Sequence, residues 1–304
     1  MDNAAPANEN AQPTSTKYIS RVLNLIHEAG SVVELRCLKT HWGTIAGYFN
    51  DFEKLAQSAA ELSGTVPAVY TTLNPVNPSL LARANNRIQQ YAKTTSSDKD
   101  IIKRCWFPID FDPVRPTDIS STNDEETRAL ARAKECRAWL ITLGFPAAVF
   151  ADSGNGGHLL YRMDLPNDEA ARTLIQQCLE ALAARFTDDK VAVDLKNFNA
   201  ARIWKLYGTV ARKGDNMPDR PYRLAKIIDA KNLGIVSVEL LQKLASFAPQ
   251  PEKHQSSSNG HYQPFNLDDF IARHSIAIKR EKPVSYGRLL ILVACPFNPE
   301  HNNG

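Results

Sequence analysis

Residues 105–112, Cys-Trp-Phe-Pro-Ile-Asp-Phe-Asp, are an apolar run that ends in Asp-x-Asp. Successive side chains on a strand point to opposite faces. Cys105, Phe107, Ile109 and Phe111 therefore make one apolar row, and Trp106, Pro108, Asp110 and Asp112 the other. The first row needs a core beneath it. The second ends in two carboxylates roughly 7 Å apart, which repel unless a dication lies between them or water solvates both. The stretch thus demands a sheet covered on one face, with a charged end.

Residues 113–209 are patterned regularly enough to give a topology. Thr122-x-x-Glu125 is a capping box, and Leu130, Ala133, Cys136, Leu140 and Leu143 fall at helical spacing up to Gly144. Ala147–Asp152 reads as a strand, Ser153-Gly-Asn-Gly-Gly157 as a turn, and His158–Arg162 as the returning strand of a hairpin. Asn167 or Asp168 caps a second helix with Ala171, Leu174, Ile175, Cys178, Leu182 and Phe186 on one side. Val191–Leu195 opens a fourth strand and Ile203–Thr209 reads as another. This order is the split β-α-β arrangement of ferredoxin-like and RRM-like domains, an α+β fold. In it the third strand lies between the first two and the fourth flanks the first, both antiparallel to it. The end of the first strand, with Asp110 and Asp112, then meets the starts of the other two, with His158 and Asp194.

Upstream, residues 1–16 have the Asn/Ala/Pro/Gln composition of a disordered leader. A helix over Tyr18–Ile26, strands over Val32–Leu38 and Thr44–Phe49, a helix from Asn50/Asp51 to Leu62, a strand over Ala68–Leu73 and a helix over Ser79–Tyr91 make a mixed α/β N-terminal subdomain, 17–99. It is expected to pack against the RRM-like core, 100–228, within one catalytic domain, 17–248. Residues 249–264 form a Pro/Gln/Ser/Lys linker. The C-terminal segment, 265–304, holds a short helix around Leu267–His274 and a strand-like run, Leu289–Ala294.

Composition narrows the class. A net charge of +3 is too small to establish a polyanionic partner, so a nucleic-acid role must rest on local patches. Five scattered cysteines, an odd number, fit a reducing compartment. With no apolar run near the roughly 18 residues a membrane span needs, the expectation is a soluble, cytoplasmic protein without a membrane partner.

Three carboxylates at one sheet edge suit hard cations such as Mg²⁺ or Mn²⁺. Two such ions activate an attacking oxygen and stabilise a leaving phosphate. The Ser153–Gly157 turn offers backbone N–H groups to phosphate oxygens. Arg202 and Lys205 are suitable counter-charges for a triphosphate. Arg212 and Lys213, with Arg220, Arg223 and Lys226, suit either a nucleic-acid backbone or a solvated basic face.

Asp110-Phe-Asp112, then Gly156-Gly-His158, then Asp194 resembles the three-motif signature of archaeo-eukaryotic primases over residues 100–215. Gly47-Tyr-Phe49 to Tyr70-Thr-Thr-Leu-Asn-Pro75 is similar to the front half of primase-polymerases of phages, plasmids and other mobile elements. The resemblance implies a nucleotidyltransferase, a DNA primase and polymerase acting on single-stranded DNA with dNTPs or NTPs. It implies Asp110, Asp112 and Asp194 as ligands of two Mg²⁺ or Mn²⁺ ions. Ser153, Gly156, Gly157 and His158 would hold the triphosphate with Arg202 and Lys205, and Arg212 and Lys213 the template. Cys295 and His301 would belong to a truncated zinc module that binds zinc only in a longer chain, and a helicase domain would lie C-terminal to Gly304. A nucleotide cyclase or other palm-type nucleotidyltransferase shares the carboxylates, and an inactive RRM-like nucleic-acid-binding module shares the strand order. The glycine turn followed by His158 favours the primase resemblance.

Overall fold

The structure, a computed structural model, describes residues 15–249, 266–284 and 287–293. The first 14 residues of the expected leader, residues 250–264 of the linker, and Cys295 and His301 lie outside the described residues. The chain divides into two compact units, 1–250 and 251–304.

In the first unit residues 105–112 lie in β5 (Lys103–Pro113). It is followed by α3 (Asn123–Leu143), β6 (Val149–Asp152), β7 (Gly157–Pro166), α4 (Glu169–Phe186) and β8 (Val191–Val193). The strands form an antiparallel sheet in the order β12-β6-β7-β5-β8, where β12 (Lys226–Asp229) is an added edge strand. The expected α+β core is present. The Thr122/Glu125 capping box opens α3, and Gly144 closes it in the left-handed conformation at φ 99°. Asp168, whose carboxylate accepts from the Ala171 amide at 2.8 Å, caps α4.

One face of the sheet packs Phe107, Ile109 and Phe111 against Ala133, Cys136 and Leu140 of α3 and Ile175, Cys178 and Leu182 of α4. Cys105 departs from this row. A register shift between Arg104 and Trp106 turns it to the other side, so Cys105 and Trp106 pack in the same cluster. That other side is no solvent face either. Trp106, Val149, Ala151 and Leu160 are buried there with Ile19 and Leu23 of α1 (Thr16–Ile26) and residues of a second sheet. The Trp106 indole spends its single donor on the Ile26 carbonyl at 2.9 Å.

The second sheet runs β4-β2-β1-β3-β9, built from β1 (Val33–Thr40), β2 (Gly43–Phe49), β3 (Tyr70–Thr72), β4 (Ile88–Gln89) and β9 (Ile203–Lys205). Asp51 caps α2 (Phe52–Leu62) beside it. Two differences from the sequence expectation stand out. The expected helix over 79–91 is one 3₁₀ turn, Pro78–Arg83, followed by the short edge strand β4. The Tyr48 amide of β2 donates to the Ala84 carbonyl at 3.2 Å, and the Asn86 amide donates to the Tyr48 carbonyl at 2.8 Å, so β2 claims backbone groups a helix would use. The second difference is β9, which pairs with β3 in register Tyr70↔Lys205 and Thr71↔Trp204. It leaves the RRM-like sheet that precedes it in sequence.

The remaining elements of this unit are the two-stranded β10 (Val210–Ala211) and β11 (Arg223–Leu224) and helix α5 (Val238–Ala245). The second unit contains α6 (Leu267–Arg273) and an antiparallel hairpin of β13 (Ile278–Val284) with β14 (Gly287–Leu292). The sequence signals α6 and part of β14 but not β13, whose Lys, Arg and Glu residues lack an apolar alternation.

Candidate active site

The pairing registers bring the predicted residues to one place. Asp110 lies opposite His158 in the β5–β7 ladder, and the Asp194 amide donates to the Asp110 carbonyl at 3.0 Å. Strand β9 supplies Trp204 and Lys205 from the second sheet, with Arg202 just ahead of it. Together they line a cleft of ≈ 320 Å³ with Asp112, Ser153, Asn155, Tyr70 and Lys213. Carboxylates and cations therefore face one solvent-open cleft.

The two carboxylates of β5 are in unlike states. Burial pushes the Asp110 carboxyl up, but His158, Lys213 and Arg202 together outweigh it and hold the group below the ordinary range. Burial, then the neighbouring Asp110 charge, raises Asp112, against the pull of Lys213 and Arg115. Asp110 Oδ1 lies 3.3 Å from His158 Nε2 without forming a hydrogen bond, so it is a buried oxygen with no hydrogen-bond partner. An orphaned carboxylate oxygen beside a second carboxylate fits a hard divalent cation.

Asp194 reaches the cleft but is otherwise engaged. It caps a 3₁₀ turn, Leu195–Phe198, by accepting from the Lys196 amide at 2.9 Å. Its other oxygen pairs with Arg202 Nη2 at 2.7 Å, and Arg202 Nε donates to Asn197 Oδ1 at 2.9 Å. Among the described residues no three His, Cys, Asp or Glu side chains stand close enough to hold one ion. The expected trio of Asp110, Asp112 and Asp194 thus shares a cleft without forming a single ligand cluster, because Arg202 holds the third acid.

The glycine turn divides by role. Ser153, Asn155 and His158 line the cleft; Gly156 and Gly157 do not. A Cβ on Gly156 would lie 2.3 Å from the Phe111 carbonyl oxygen, and one on Gly157 would lie 2.7 Å from the Ala133 Cβ. Both glycines are needed for contact with β5 and α3, a reason the sequence does not reveal. The Ser153 hydroxyl accepts from the Gly156 amide at 2.9 Å and tightens the turn.

Among the cations, Lys205 is buried, and its Nζ donates to the Val210 carbonyl at 2.9 Å. Burial, with Lys213 adding to it, brings its ammonium down to about 7. Lys213, grouped by sequence with the template cations, lines the cleft and lowers both β5 carboxyls. Arg212 lies apart from it: its guanidinium bonds the Gly64 carbonyl and sits 5.0 Å from the centre of the Tyr222 ring. Arg220 and Arg223 are paired with Glu125 and Glu126. Arg36, on β1, forks onto the buried Glu34 at 2.9 and 2.6 Å. Sequence reasoning assigns no role to Asn155, inside the turn motif, or to Tyr70, inside the stretch that resembles the front half of primase-polymerases, and it misses Asn197 and Tyr207, for which no local signal exists.

No protein-family model matches the chain, and no curated protein matches it. Among solved structures, the chain is similar to a crystal structure of primase RepB′, with a TM-score of 0.40 and 12% sequence identity. The match covers 76% of this chain and 62% of that one, so the chain spans less than two thirds of its length. No helix among the described residues is long and apolar enough to cross a membrane.

Proposed function

We propose that the chain is a template-directed nucleotidyltransferase of the primase-polymerase kind, joining nucleoside triphosphates on single-stranded DNA. The observation that carries this reading is the opposition of charges in one cleft. Asp110 and Asp112 stand at the end of β5, and His158, Lys205, Lys213 and Arg202 surround the same space. Acids alone would suit a cation and bases alone an anion; the two together suit a metal-bound polyphosphate.

In this reading a 3′-hydroxyl attacks the α-phosphorus and gives up its proton to water, the bond to the bridging oxygen breaks, and pyrophosphate leaves. Asp110 and Asp112 would hold Mg²⁺ or Mn²⁺, and a second ion would require Asp194 to exchange Arg202 for it. The bound ions supply charge neutralisation at the attacking and leaving oxygens. Lys205 and Lys213 meet the triphosphate as point charges, and Arg202, once released from Asp194, meets it as a fork. His158 offers Nε2–H to a phosphate oxygen, and the turn that begins at Ser153 holds that histidine in place. Arg212, outside the cleft, remains the template-side cation.

The test is Mn²⁺-dependent primer extension on single-stranded DNA by Asp110→Asn. Activity should be lost while the variant still folds cooperatively, with a somewhat lower melting temperature, since His158, Lys213 and Arg202 favour the charged carboxylate. Extension at the wild-type rate would end the proposal.

A further inference from the structure

We infer that Tyr207 is a positioning residue that fixes the tautomer of His158, so that the imidazole permanently presents Nε2–H to the cleft. This rests on the reading of His158 as a group that meets an anionic ligand. The inference comes from the direction of one buried hydrogen-bond chain. An indole N–H can only donate, and Trp204 Nε1 lies 2.8 Å from Tyr207 Oη. The Tyr207 oxygen therefore accepts from Trp204, and its own proton must find another acceptor. His158 Nδ1 lies 3.1 Å away. Tyr207 is fully buried, and its hydroxyl makes no other hydrogen bond among the described residues. The hydroxyl thus donates to Nδ1, and the ring, in its neutral form, carries its hydrogen on Nε2, the nitrogen 3.3 Å from Asp110 Oδ1.

The ring has little freedom to escape this arrangement. His158 is 3% exposed and is clamped between β5 and β6 through its pairs with Asp110 and Ala151. The Trp204 ring lies 4.1 Å from the imidazole centre at 38°, and the Tyr207 ring 5.9 Å away at 63°. Reversing the chain, with Nδ1–H donating to Tyr207, strands the phenolic proton in a dry site. It also turns the Nε2 lone pair toward the cleft. Phosphate oxygens only accept, so a lone pair there repels them and an N–H attracts them. Trp204 lies on β9 and Tyr207 on the segment that leaves it, so the second sheet sets the proton position of a residue on the first.

Nitrogen NMR of the full chain labelled at histidine reads the tautomer directly, with the His158 signals identified by their loss in His158→Gln. Wild type should show a bare Nδ1 and a protonated Nε2. Tyr207→Phe should give a mixture of tautomers and weaken dATP affinity about tenfold, the scale of one lost hydrogen bond. Trp204→Phe keeps the phenol but frees its lone pair, and should also populate Nδ1–H. A merely structural Tyr207 predicts a lower melting temperature with an unchanged spectrum. A wild-type spectrum with Nδ1 protonated overturns the inference, even if Tyr207→Phe fails to fold. So does Tyr207→Phe with the wild-type tautomer. If His158→Gln binds dATP as wild type does while the tautomer shifts as described, the nucleotide role of His158 falls and the control by Tyr207 stands.

Discussion

Lys205 is a cation whose environment is far from what water would give it. Its side chain is buried at the end of β9, and burial with the nearby Lys213 lowers its ammonium from 10.5 to about 7. The unfolded chain keeps the ordinary value. Between about pH 7 and 10.5 the unfolded state therefore binds a proton that the folded state lacks, and stability rises with pH across that window. Below pH 7 both states are charged and the full burial penalty applies. Lys205→Met should accordingly stabilise the fold near pH 7 by on the order of 2 kcal/mol, a few degrees of melting temperature. The gain should fade as pH approaches 10.5, and dATP binding should weaken most below about pH 7, where Lys205 is charged. Melting curves over pH 6–10.5 decide it; a variant less stable than wild type at pH 7 would refute this account. Asp110, Asp112 and His158 are legible in the sequence because strand alternation and topology fix where they point. Lys213 is legible only as a charge. Its place facing two carboxylates depends on where the chain returns after β9, which no spacing encodes.

At the scale of elements, the hairpin of β6 and β7 is held to α3 more closely than its turn sequence suggests. A methyl at Gly157 would meet Ala133 Cβ at 2.7 Å and the Ala129 carbonyl oxygen at 2.9 Å, both on one helix. Gly157→Ala should therefore cost about 1–3 kcal/mol by overpacking, seen as a drop in denaturation midpoint. It should also disturb His158, the next residue. An unchanged midpoint would show that α3 can move aside. The helices α3 and α4 are legible with their caps because capping boxes and apolar stripes are local. The stretch 79–91 misleads for the opposite reason. Leu80, Leu81, Ala84 and Ile88 have helical spacing, but β2 captures Ala84 and Asn86 through contacts more than thirty residues distant in sequence. The bulge that moves Cys105 off the Phe107 row is likewise set by the partner strand.

For the molecule as a whole, the cleft holds two neighbouring acids, one with a buried oxygen that has no hydrogen-bond partner, and an added cation would join them. Mn²⁺ should raise the melting temperature by mass action, by about 2.7 kcal/mol of stability at a hundredfold excess over its dissociation constant. The increase should disappear in Asp110→Asn, and a differential scan with and without Mn²⁺ measures both. An equal rise in the variant would assign the effect to other sites. The fold brings this about by burying both faces of the RRM-like sheet, helices on one and α1 with the second sheet on the other.

That arrangement has a consequence for modularity. Asp110 and Asp112 hang from one sheet, while Trp204 and Lys205 ride on a strand that borrows its backbone partners from the other. Residues 100–228 hold every charged side chain attributed to the site, yet they leave out β3, to which β9 is laced. Transplanted alone, that stretch would carry all the letters of the site and lose their alignment. The structural unit of the site is the pair of sheets, and a replacement of one half would have to bring a matching edge for β9.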